Sequence, residues 1–192
     1  MVASCIMSFE TWQKSDDADP LQGRSFRLTG VFVIVVTAGL LGAWIFNSEG
    51  GDSADVGRDA PDFVVQNIEG GEPIVLSELL AADDRPIVLN LMASWCGPCR
   101  EEIPELSAFA DANPGVLVLG VAVEDSYEDF KQFVTDVRPT YTVGFDDGAM
   151  RENYPTLGLP ATFFLDSDGV IVEVFNGILD QELLEELVAD LS

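Results

Sequence analysis

Two thiols stand two residues apart in Trp95-Cys96-Gly97-Pro98-Cys99, a spacing at which a disulfide can form, open and pass to another molecule. Ahead of them runs Pro86-Ile-Val-Leu-Asn-Leu-Met92, short, apolar and suited to a buried strand. Behind them Ile103, Leu106, Phe109 and Ala110 recur at helical spacing, with Arg100, Glu101 and Glu102 between. A strand that turns into a helix at the first cysteine puts Cys96 at the helix N-terminus. Unpaired backbone N–H groups and the helix dipole favour a thiolate there. Cys99 falls about one turn further in, within reach of a mixed disulfide on Cys96. Cys96 is therefore expected to be the nucleophile, partly exposed, and Cys99 the buried resolving thiol.

The neighbours fit that chemistry. Gly97 lets a partner backbone approach closely, and Pro98 is tolerated because its missing N–H would be unpaired at a helix start. Trp95 either packs beside the site or fills the core; the residues leave both open. Pro104 should kink the helix it interrupts. A structural zinc site would need about four ligands. The chain has no histidine, and its third cysteine, Cys5, is far upstream, so no metal is expected. A purely structural bridge would gain little from so short a loop.

The segment Leu89-Asn-Leu-Met-Ala-Ser-Trp-Cys-Gly-Pro-Cys-Arg-Glu-Glu-Ile-Pro-Glu-Leu106 resembles the active-site stretch of the TlpA/ResA-like branch of thioredoxins. Leu157-Gly-Leu-Pro-Ala-Thr-Phe-Phe-Leu-Asp166, followed by Asp168-Gly169, is similar to that family's cis-proline loop and the hairpin after it. Asn90 and the Glu-Ile-Pro segment at 102–104 point to this branch rather than to thioredoxin itself. The resemblance spans roughly Asp59 to Leu191. It implies a thioredoxin fold and a membrane-tethered, extracytoplasmic thiol–disulfide oxidoreductase without a cofactor. It also implies that Pro160 is cis and faces the disulfide, with the Leu159 backbone pairing to substrate. The residues alone leave cis and trans open, since only about 5–6% of X–Pro bonds are cis. Glu102 matches the family glutamate that tunes thiol protonation, although its spacing equally suits a surface acid. Glu124 is a weaker candidate for that task.

The partners implied by the resemblance are protein thiols and disulfides, with apocytochrome c among the relatives' substrates, and a transmembrane thiol electron donor. The Gly-Pro dipeptide is that of thioredoxin, near about −270 mV, whereas an oxidant such as DsbA lies near about −120 mV. A reductant is therefore expected, with a disulfide-forming oxidant as the alternative.

Leu28 to Phe46 is an uncharged apolar run of 19 residues. At about 1.5 Å per residue it crosses most of a bilayer core. Arg24 and Arg27 precede it while Glu49 and Asp52 follow, so the N-terminus is expected in the cytoplasm. The division is a disordered cytoplasmic tail at 1–27, a signal anchor at 28–46, a flexible linker at 47–58 and a thioredoxin-like domain at 59–192. Cys5 is a bystander thiol in a reducing compartment.

A formal net charge of −25 excludes a nucleic-acid surface and reads as a solvated acidic exterior. A thiol peroxidase on the same fold would carry Pro-x-x-x-Thr-x-x-Cys, but Leu89 and Ala93 stand at those positions. A copper-delivery protein would want a histidine, and a redox-inactive docking module would lack one of the cysteines.

The elements read as an α/β chain. A hairpin is expected at 63–68 and 73–76, then strand 86–92 and the helix from about Gly97. A strand buried on both faces at 116–123 precedes a helix at 126–137. Residues 141–143 read as a short edge strand, 161–165 and 170–175 as a hairpin, and 179–191 as an amphipathic helix. The alternation matches a central mixed sheet with helices on both faces and an N-terminal hairpin extension.

Overall fold

The computed structural model describes residues 54–189 and Leu191. The tail, the apolar run and residues 47–53 lie outside them. Among the described residues no helix is long and apolar enough to cross a membrane.

The strands are β1 (Val64–Asn67), β2 (Ile74–Val75), β3 (Ile87–Met92), β4 (Leu117–Ala122), β5 (Thr142–Phe145), β6 (Ala161–Leu165) and β7 (Ile171–Asn176). The helices are α1 (Leu76–Ala82), α2 (Gly97–Ala112), α3 (Tyr127–Val137), α4 (Met150–Asn153) and α5 (Gln181–Ala189). The strands form one mixed sheet in the order β2-β1-β5-β4-β3-β6-β7. β3 pairs in parallel with β4, and β4 with β5, while β6 runs antiparallel to β3.

Every residue of β3 is buried, which is why its sequence is an almost continuous apolar run. Successive side chains alternate between faces. Leu89 and Leu91 join Leu76, Tyr154 and Phe163 on the side of α1 and α4. Met92 meets Ile103, Phe130 and Phe133 on the side of α2 and α3, and Val88 meets Leu106, Phe109 and Leu184 where α5 closes the domain. Helices thus cover both faces.

Several boundaries depart from the sequence expectation. β5 is an interior strand between β4 and β1 rather than an edge, because the hairpin β1–β2 adds beyond it. α1 was not expected; Leu76, Leu79 and Leu80 carry its buried side. Residues 54–58, read from composition as linker, are held: Ala54 is buried and donates to Asn153 O, and Gly57 donates to Ile171 O. The α2 helix continues through Pro104, whose ring is exposed.

Candidate active site

β3 ends at Met92, and three residues later the chain enters α2. Cys96 is the N-cap, with extended backbone (φ −84°, ψ 104°). Its Sγ accepts from the Cys99 N–H at 3.1 Å, one of the donors a helix start leaves without a backbone partner. The two sulfurs are joined as a disulfide across a Cα separation of 5.3 Å.

Both cysteines are sheltered. Cys99 is 1% exposed, as expected, but Cys96 is only 4% exposed. This corrects the partly exposed nucleophile: in the bridged form its sulfur is bonded to Cys99, and the residue belongs to the buried apolar cluster that includes Met92, Ala93 and Ile103. The exposed surface belongs to its neighbours Trp95, Gly97 and Pro98. Nothing stands within 4 Å of where a Gly97 Cβ would lie, so the approach over that residue is open. Trp95 is 61% exposed and is therefore not core filler.

The loop after β4 holds Trp95 in place. Its indole N–H donates to Glu124 O at 3.0 Å, and Ser94 donates through both its amide and its hydroxyl to the Asp125 carboxylate. The Glu124 carboxylate pairs with Arg151 at 3.2 Å, so it faces that guanidinium rather than the resolving thiol.

The Leu159–Pro160 bond is cis. Leu159 packs against the apolar cluster that contains Cys96 and Cys99, which brings this loop to the edge of the disulfide. Gly177 N–H donates to Pro160 O, tying the loop to the end of β7.

Behind the disulfide lies a buried polar cluster. Glu102, three residues after Cys99 on the same side of α2, is 0% exposed, so it is not a surface acid. Its Oε2 accepts from Asn90 Nδ2 at 3.0 Å and its Oε1 from the Leu179 N–H at 2.9 Å. Asn90 also donates to Thr162 Oγ1 at 2.9 Å. Burial pushes the Glu102 carboxyl up to about 7 against the pull of these two donors. Asn90, Gly120 and Thr162 lie side by side across β4, β3 and β6. A Cβ on Gly120 would meet Met92 Cε at 2.5 Å and the Tyr141 ring at 3.0 Å. Burial and the Glu102 carboxylate together raise the Tyr141 hydroxyl above the usual tyrosine range.

Sequence reasoning marked Asn90 only as a feature of resemblance and passed over Thr162, Tyr141 and Arg151. Asn90 had a signal, being the one polar residue in a buried strand. The others become neighbours only through sheet register and loop packing.

The model of the AhpC/TSA family matches residues 56–174. The chain belongs to this family. It is 29% identical over 168 residues to the thiol-disulfide oxidoreductase ResA of Bacillus subtilis, covering 85% of this chain and 90% of that protein. Against the thiol:disulfide interchange protein DsbE of Pseudomonas aeruginosa the identity is 28% over 166 residues, with 84% and 88% covered. The fold is similar to that of a secreted Mycobacterium tuberculosis disulfide oxidoreductase homologous to E. coli DsbE. That similarity has a TM-score of 0.58 and 29% identity, over 67% of this chain and 96% of that one. The chain is thus a thiol–disulfide oxidoreductase of the ResA/DsbE type.

Proposed function

We propose that the chain is a membrane-anchored reductant of protein disulfides working outside the cytoplasm. Electrons come from a transmembrane thiol donor, and apocytochrome c is a substrate. The anchor reading rests on the apolar run at 28–46 with Arg24 and Arg27 before it. The direction rests on the Gly-Pro dipeptide, and the pathway on the relatives of this type. One observation carries the chemistry: a sulfur pair at a helix N-terminus with a shielded carboxylate one turn behind it.

In the reduced protein the Cys96 thiolate is stabilised by the Cys99 N–H and the start of α2. It attacks a substrate sulfur, forming one S–S bond while the second substrate sulfur leaves as a thiolate and takes a proton from solvent. Cys99 then gives its proton to the Glu102 carboxylate and attacks Cys96 Sγ. The Cys96–Cys99 bridge forms and the remaining substrate sulfur departs. Two electrons have moved to the substrate, and the donor restores the dithiol. Leu159 and Pro160 present the backbone edge along which the substrate lies, with Trp95, Gly97 and Pro98 forming the facing surface.

Equilibration with glutathione should give a potential on the reducing side of about −200 mV. Cys96→Ser should abolish exchange, and Cys99→Ser should accumulate mixed disulfides with partners. A potential near that of DsbA, about −120 mV, reverses the direction. A reporter active only outside the cytoplasm, fused after Ser192, should work and remain in the membrane fraction; a soluble product starting near Asn47 would mean a cleaved signal.

A further inference from the structure

The two sides of the candidate substrate surface are built on separate loops, and one side chain spans them. Arg151 Nε pairs with Glu124 Oε2 at 3.2 Å, and its Nη1 donates to Thr156 Oγ1. Glu124 O in turn receives the Trp95 indole N–H. Thr156 lies four residues before cis Pro160, and its neighbour Leu157, 95% exposed, donates its amide to Asn176 Oδ1. A continuous path of polar contacts therefore runs from the residue before Cys96, through Glu124 and Arg151, to the loop that carries Pro160.

We infer that Arg151 is a positioning residue that fixes the spacing between Trp95 and the cis-proline loop, and so governs the capture of polypeptide disulfides. Three features of the molecule support this. Arg151 sits on the short α4, which is itself held: Asp146 accepts from the Ala149 and Met150 amides at 3.1 Å, and the Tyr154 hydroxyl donates to Pro61 O. Glu124 has φ +53°, a left-handed conformation that a non-glycine residue seldom adopts. Such a conformation persists where its surroundings over-determine it, and here the Trp95 bond and the Arg151 pair act on the same residue. Finally, a planar guanidinium engages two partners at fixed angles, which an ammonium cannot do.

The ion pair itself is half-exposed, so its worth lies in geometry rather than stability. A polypeptide must lie along both loops at once for its disulfide to reach Cys96. A small disulfide needs only the sulfur and the open approach over Gly97.

This inference rests on the proposed reductase chemistry, and two substrates separate their failures. The full-length chain, reduced and purified in detergent, is assayed with insulin as polypeptide disulfide and oxidised glutathione as small disulfide. Arg151→Met should raise KM for insulin about tenfold through loss of uniform binding, with kcat and the glutathione rate within about twofold of wild type. Arg151→Lys should fall between them. Thr156→Val should behave like Arg151→Met, and the double variant should be no worse than either, since both break one path. Unchanged insulin KM in Arg151→Met overturns the inference, as does an equal loss with both substrates. A wild-type chain that reduces neither substrate defeats the proposed chemistry instead.

Discussion

Glu102 and Glu124 are tied to the two ends of the same segment, one to the helix that carries the cysteines and one to Trp95 beside them, and they sit in opposite surroundings. Glu102 is 0% exposed, with both carboxylate oxygens taken up by Asn90 and the Leu179 amide. Glu124 has a side chain 52% exposed, and contributes a backbone carbonyl to Trp95 and a carboxylate to Arg151. At Glu102, where little water reaches, a charge is costly, so the proton on the carboxylate becomes a variable of the chemistry. At Glu124, water screens the charge, and only the direction and length of the contact matter. On the proposed mechanism, solvent access would separate proton handling at Glu102 from substrate alignment at Glu124.

The larger test of that contrast is Glu102→Gln. The folded-state carboxyl is pushed up to about 7 from 4.5, so between those values the folded protein holds a proton that the unfolded chain releases. The stability linked to it is fully present below pH 4.5 and lost as pH rises through 7. At about 1.36 kcal/mol per pKa unit the loss is about 3 kcal/mol. Chemical denaturation of the oxidised protein between pH 4.5 and 8 should show this decline in wild type and a flatter curve in Glu102→Gln. The pH profile of disulfide reduction should change in the same variant. Identical slopes in the two proteins would remove the proton-handling role.

The smaller test is Glu124→Gln. Stability should change by less than about 1 kcal/mol. KM for insulin should rise less than in Arg151→Met, because a glutamine can still accept from Arg151 and the Arg151–Thr156 contact is kept. A stability loss as large as that in the Glu102 comparison would mean that the Glu124 contact is not governed by geometry alone.

What was legible in the sequence follows the range of the interactions involved. β3, the turn into α2 and the Cys-x-x-Cys are local, and a run of buried residues announces itself in composition. The cis Pro160 was reached through resemblance, because a Leu-Pro pair carries no local mark of its isomer. α1 had helical spacing in Leu76, Leu79 and Leu80, but the β-rich Pro73–Leu76 stretch masked it. α4 has only four residues and stands on Asp146 and Tyr154, which no periodicity encodes. The interior place of β5 depends on pairing with β1, far away in sequence. The same holds for the polar cluster: Asn90 meets Glu102 twelve residues on and Thr162 seventy-two residues on. Arg151 gave no signal at all, since an isolated cation on an acidic chain reads as surface.

The bonds of Glu102 also have a mechanical side. Apolar packing is non-directional and leaves a helix some freedom to slide along a sheet. Glu102 fastens α2 to β3 through Asn90 and to the start of the closing segment through Leu179. A helix so pinned has a fixed height above the strands, and the sulfurs at its tip inherit that height. The reactive point thus keeps a constant address above the sheet, and a substrate must come to it.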